Sequence, residues 1–145
     1  MTVTFIGHGR VYRLDEEKLR YTIITAIEHG ASLFLNGGMG DYDYICARIV
    51  KTLQNDYPQI RSELVIPYLS FNPRSIDCFD SSVYPDGFEK YHFKAAIVAR
   101  NKWMVNQSQM AICYVDHDWG GAVKTFEYAV RKGLEIVNIG SYKVG

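Results

Sequence analysis

Residues 32–43 read Ser-Leu-Phe-Leu-Asn-Gly-Gly-Met-Gly-Asp-Tyr-Asp (SLFLNGGMGDYD), and this stretch decides the fold. Ser32 to Asn36 is a short apolar run, the right length for a strand buried on both faces. Gly37, Gly38 and Gly40 end it. From Asp41 onward Tyr44, Ile45, Ile49, Val50 and Leu53 recur at helical spacing, which predicts a helix to about Asn55. A buried strand that passes through glycines into a helix is half of a β-α-β unit.

The same alternation extends in both directions. Val3–Gly7 reads as a strand, and Asp15–His29 as a helix with Leu19, Ile23, Ile24 and Ile27 on one face and Gly30 as its stop. Leu64–Tyr68 is a third strand that Pro67 ends. Helices are expected from about Lys94 to Asn106 and from Ala122 to Arg131, with strands at Met110–Val115 and Glu135–Ile139. Residues 70–92 have no clear period, and a loop of that length in a compact domain is usually functional or mobile. Apolar strands separated by helices predict a parallel sheet covered on both faces. The expected fold is a single Rossmann-like, three-layer α/β domain over residues 1–145 with a mainly parallel five-stranded sheet.

A length of 145 residues is that of one domain. With 48% apolar and 22% charged residues, disordered and disulfide-scaffold classes are excluded. Sixteen Lys and Arg balance sixteen Asp and Glu. Without a basic field, DNA is not expected as a partner. No run of 18 apolar residues predicts a membrane span, and Met1–Ile6 lacks the basic start of a signal peptide. Cys46, Cys78 and Cys113 form no CxxC pair, and their odd number fits a reducing, cytoplasmic setting.

Ligands of such sheets bind beyond the carboxyl ends of the strands. Three loops are unusual there: Gly7-His8-Gly9-Arg10, Gly37-Gly38-Met39-Gly40-Asp41-Tyr42-Asp43, and Asp116-His117-Asp118-Trp119-Gly120-Gly121-Ala122-Val123-Lys124-Thr125. Glycines that lead into helix N-termini offer bare backbone and free N–H groups to an anion, and phosphate is the natural guest. No GxxxxGK[ST] is present, and Gly38-Met39-Gly40 does not continue as a dinucleotide fingerprint, so no nicotinamide or other cofactor is expected. His8, Asp116, His117 and Asp118 lack the HxH, HExxH or CxxC spacing of a metal site, so no metal is expected. His8 instead follows the first strand and is placed to hydrogen-bond a ligand. Tyr68, Phe71, Tyr84 and Trp119 fall in loops on the ligand side, where a ring can stack on a base.

The segments TFIGHGR, FLNGGMGDYDYICA, LVIPYL, ARNKWMVNQSQMAICYV and GGAVKTFEYAVRKG together resemble the SLOG superfamily, and more closely its YpsA-like branch. That superfamily also holds the LOG phosphoribohydrolases and Smf/DprA. The resemblance implies a Rossmann-like fold that binds nucleotides or nucleotide-derived small molecules, in a homodimer or larger homo-oligomer. LOG enzymes cleave the N-glycosidic bond of nucleoside 5′-monophosphates, with an Arg in an R-K-x-x-M-like segment and a Glu in a PGGxGTxxE loop. Arg100 and Met104 match the first segment. In the second, Gly120, Gly121 and Thr125 match, but Trp119 replaces the proline, an extra residue precedes Thr125, and Glu127 follows it by two residues rather than three.

On a helix one residue turns a side chain by ~100°, so the enzyme motif is disturbed at Glu127 while the glycines survive. Binding of a nucleotide-like ligand is therefore the first expectation. Its contacts would be Gly7, His8, Gly9, Arg10, Gly37, Gly38, Met39, Gly40, Asp41, Tyr68, Gly120, Gly121, Ala122, Lys124 and Thr125. The alternative is a phosphoribohydrolase that uses Arg100 with Glu127 or Asp43, since an oxocarbenium-like transition state needs a nearby carboxylate.

Overall fold

The computed structural model describes residues 1–143; residues 144–145, the end of the domain assigned to 1–145, lie outside the described residues. Strands β1 (Thr2–Gly7), β2 (Leu33–Asn36), β3 (Arg61–Val65), β4 (Ser81–Val83), β5 (Met110–Tyr114) and β6 (Glu135–Asn138) form one parallel sheet in the order β4-β3-β2-β1-β5-β6. Helices α1 (Glu16–Glu28), α2 (Asp41–Leu53), α3 (Phe93–Asn106) and α4 (Gly121–Arg131) provide the covering layers.

The pleat sorts the core into those layers. Val3, Phe5, Phe34, Ile112 and Tyr114 pack against Leu19, Ile23, Cys46 and Val50 of α1 and α2. Their strand neighbours Ile6, Ala111 and Cys113 face Val105, Val123, Phe126 and Ala129 of α3 and α4. The strand order turns at β1, which pairs β2 on one side and β5 on the other. This switch point opens the sheet's rim between the loops that follow β1 and β5.

Local chemistry sets the helix ends. Asp15 caps α1 by accepting the Lys18 N–H at 3.0 Å, and Gly30 adopts φ +104 just past its end. The sheet has six strands rather than the expected five. The added strand, β4, is a polar edge segment (Ser81, Ser82, Val83) inside the 70–92 stretch, so it has no apolar run to betray it. It pairs β3 with Ser81 opposite Glu63. A single 3-10 turn at Phe88–Lys90 follows. β3 starts at Arg61 and ends at Val65, earlier than expected, because the chain leaves the ladder before Pro67.

The rim is tied directly to the core. A Cβ on Gly7 would overlap the ring of Tyr42, which is fully buried and donates its hydroxyl to the Ile112 carbonyl at 2.8 Å. Gly7→Ala should therefore lower the unfolding free energy in urea by about 1–3 kcal/mol. Gly9→Ala, where a Cβ meets nothing within 4 Å, should stay within about 0.5 kcal/mol of wild type. Equal stability of the two variants would show that Tyr42 is not held as described.

Candidate functional site

A cavity of about 540 Å³ opens at the carboxyl ends of β1, β2 and β5. Of the residues expected at a site, Gly7, His8, Gly9, Arg10, Gly37, Met39, Asp43, Arg100, Gly120, Gly121, Ala122 and Thr125 line it. Gly38, Gly40, Asp41, Tyr68, Lys124 and Glu127 do not. Phe5, Ile6, Tyr12, Ile97, Asn101, Met104, His117 and Trp119 complete its wall. Tyr12 and Asn101 were not expected: Tyr12 is an exposed loop residue outside any motif, and Asn101 lies within the quoted ARNKWM segment, where only Arg100 and Met104 were matched.

The two glycine corners are not equivalent. At the start of α2 three backbone donors are already taken. The Gly38 N–H donates to Asn36 Oδ1 at 2.8 Å, the Met39 N–H to Asp43 Oδ2 at 2.9 Å, and the Asp41 N–H to the Gly9 carbonyl at 2.8 Å. The Gly38 carbonyl accepts from the Tyr44 hydroxyl. A Cβ on Gly38, at φ +62, would come within 2.6 Å of Leu64 Cδ1. Asp43 thus occupies the end of α2 that a phosphate would need. Burial pushes its carboxyl above the ordinary range, against the pull of the Met39 N–H and of Arg100. Asp41 points elsewhere, to Arg74 at 2.9 Å, and that hydrogen bond with the Val11 N–H holds its carboxyl low.

The start of α4 is open. Gly120 adopts φ +95, no side chain caps the helix, and no acidic residue stands in its first turn. A Cβ on Gly120 or Gly121 would meet nothing within 4 Å. Free N–H groups and the positive end of the helix therefore face unoccupied space.

Arg100 forms part of the cavity floor at 2% exposure. Its Nη1 donates to the Gly37 carbonyl at 2.9 Å and to the Val65 carbonyl at 3.0 Å, and its Nε donates to Asn101 Oδ1 at 2.9 Å. Among the described residues Nη2 has no acceptor and no carboxylate lies within 4 Å of the guanidinium. Burial pushes its pKa down to about 10, which leaves it charged at neutral pH.

The third wall is a column of rings. His8 lies 3.5 Å from His117, centroid to centroid, and His117 lies 3.6 Å from Trp119. His8 Nε2 accepts the Asp116 N–H at 3.1 Å, and His117 Nδ1 bonds Asp116 Oδ1 at 2.8 Å. Burial alone would raise the Asp116 carboxyl, but the Tyr114 hydroxyl and His117 outweigh it and hold it low. His8, Asp116 and His117 bring potential metal-ligating atoms within 4.8 Å of one another. In this arrangement the His8 lone pair is spent on a backbone amide, and parallel imidazoles do not aim their lone pairs at one point.

The residues drawn from the hydrolase motif are separated. Glu127 is outside the cavity wall: Thr125 faces the cavity, and two residues along α4 turn the next side chain away by ~200°. Lys124 is exposed on the outer side of the same helix. Tyr68 packs on Phe93 with centroids 4.5 Å apart, and Phe71 meets it edge-on. No helix among the described residues is long and apolar enough to cross a membrane.

The family model described as the YspA SLOG family matches residues 10–139. No curated protein matches the chain. Among solved structures, DNA processing protein A (DprA) from Streptococcus pneumoniae superposes with a TM-score of 0.67 and 19% identity, over 94% of this chain and 49% of that one. DprA from Helicobacter pylori, described for its single-stranded DNA binding mode, superposes with a TM-score of 0.61 and 18% identity, over 91% of this chain and 61% of that one. The chain thus spans about half to three-fifths of these proteins, and at such identities the likeness is one of fold. It corrects the expectation that DNA is an unlikely partner. That expectation rested on net charge, and a protein of this fold has a single-stranded DNA binding mode. A zero sum over the chain says little about one rim.

The His8 imidazole is held below its ordinary 6.5 by burial and then by His117, against the pull of Asp116. As pH falls the unfolded chain takes up this proton before the folded one does, so stability present above 6.5 is lost below it. Urea unfolding should show a decline from about pH 7 to about pH 5.5. His8→Gln, whose amide oxygen accepts the Asp116 N–H without titrating, should flatten it. An unchanged decline in the variant would remove His8 as its source.

Proposed function

The chain belongs to the YspA SLOG family, and on that premise we propose that it binds a nucleotide-like ligand through its phosphate, in the cavity between Arg100 and the start of α4. The observation that carries this is Arg100. Its hydrogen bonds go to neutral oxygens, and Asp43 on the same cavity wall attracts it without forming an ion pair within 4 Å, so its buried charge has no contacting counter-ion. A buried charge without a partner is destabilising, and an anion that reaches it relieves that penalty while it gains charge-assisted hydrogen bonds. Gly121 and Ala122 line the same cavity at the uncapped start of α4, and their N–H groups are the neutral donors for the same group.

Binding is favoured over hydrolysis. An N-glycosidase needs a free carboxylate beside the ribose. Asp43 Oδ2 is engaged by the Met39 N–H, and Glu127 does not line the cavity. Single-stranded DNA is the second reading, supported by the likeness to the H. pylori protein. Tyr12 borders both this cavity and a neighbouring pocket of about 390 Å³ that contains Arg48 and Arg74, so one strand could run through both.

Calorimetric titration with adenosine 5′-monophosphate, inorganic phosphate and a short oligothymidylate tests both. The mononucleotide should bind, and Gly121→Asp should weaken it more than tenfold, about 1.4 kcal/mol. The added carboxylate sits in open space at a helix N-terminus, so the variant should fold. Wild-type affinity in that variant would remove α4 from the site. Free adenine in the incubation would turn the assignment to a hydrolase. Tighter binding of the oligonucleotide, with a steep salt dependence, would favour the DNA reading.

A further inference from the structure

The ring column has a fixed end and a free end. His8 is 6% exposed and tied to the Asp116 N–H, whereas Trp119 is 67% exposed. His117, between them, is held by Asp116 Oδ1 and lies 9° from the plane of His8 and 27° from that of Trp119. One face of the indole is therefore covered by His117, and its exposure belongs to the other face and the edges. All three rings line the cavity that contains Arg100 and Gly121. Trp119 also immediately precedes the glycine pair that opens α4.

A large apolar ring exposed on a loop usually folds down onto the surface. Here two imidazoles, each fixed by a hydrogen bond to Asp116, hold the indole upright. An aromatic contact ordered before the ligand arrives loses little entropy on binding. We propose that Trp119 is the stacking platform for the planar base of the ligand, with His117 and His8 as its rigid backing. This rests on the nucleotide reading and narrows it. The ligand carries an aromatic base, and a sugar phosphate alone would leave the platform unused.

The experiment compares adenosine 5′-monophosphate, adenosine and ribose 5-phosphate on wild type, Trp119→Ala and Trp119→Phe, by calorimetry and by quenching of tryptophan fluorescence. Loss of one base-stacking contact should weaken the mononucleotide roughly tenfold or more in Trp119→Ala. Ribose 5-phosphate should bind as before, and Trp119→Phe should restore most of the affinity. Adenosine should quench the fluorescence of wild type and not of Trp119→Ala. Mononucleotide affinity unchanged in Trp119→Ala overturns the platform and leaves the phosphate site standing. Adenosine that binds and quenches as expected, with no gain from its phosphate, keeps the platform and overturns the phosphate reading. If none of the three ligands binds wild type, both are overturned.

Discussion

The guanidinium of Arg100 holds the site together. It comes from α3, on one face of the sheet, and reaches the carbonyls of Gly37, just past β2, and Val65, at the end of β3. One side chain therefore fixes the spacing of two strand ends and closes the floor beneath the cavity. A Cβ on Gly37 would come within 3.0 Å of the Arg100 Cζ, so that glycine is the gap through which the guanidinium reaches the backbone. The neutral acceptors satisfy its hydrogen-bond geometry but not its charge. An interior cation held by carbonyl dipoles, with one nitrogen free of a protein acceptor, puts a local positive charge on the cavity floor that the net charge of the chain does not reveal.

The two glycine corners divide the labour. α2 begins with Asp41 and Asp43, and Asp43 folds back onto the Met39 N–H. The dipole of that helix is compensated from within, and the corner becomes a packing device. The Gly40 backbone presses on Gly9 so closely that a Cβ would collide with it, and the Asp41 N–H bonds the Gly9 carbonyl. The loops after β1 and β2 are thereby locked together. α4 has no acidic residue in its first turn and no cap, so its positive end stays available. One corner shapes the cavity and the other faces it, a difference set by where the aspartates stand.

Much of the fold was legible in the sequence, because burial on both faces turns strands into apolar runs: β1, β2 and β5 all lie inside runs of that kind. β4 was not legible, since an edge strand of two serines and a valine is polar for the same reason that it is exposed. The site was legible in residue type and less so in role. Glycine before a helix reads the same whether the nearby N–H groups are free or taken, because the acceptors that take them, Asn36, Asp43 and the Gly9 carbonyl, carry no mark of that role in the sequence. Arg100 stood out as a motif residue, but its burial and its carbonyl partners come from β2 and β3, far away in the chain. The His8–His117 pairing joins residues 109 apart in sequence and depends on the adjacency of β1 and β5, which no local pattern encodes.

That adjacency also explains why the ring column belongs to the cavity. Gly7 pairs with Tyr114 in the β1–β5 ladder, so the next residues, His8 and Val115–Asp116, leave the sheet side by side. The Asp116 N–H then meets His8 Nε2, and its carboxylate reaches both the Tyr114 hydroxyl and His117. Both imidazoles of the column are therefore positioned by Asp116, and Asp116 by the strand register. Gly7 must lack a side chain for Tyr42 to fill the space beside it, and Tyr42 in turn anchors to Ile112 of β5. The core therefore sets the register of β1 against β5, and that register fixes where the outermost ring stands relative to the open end of α4.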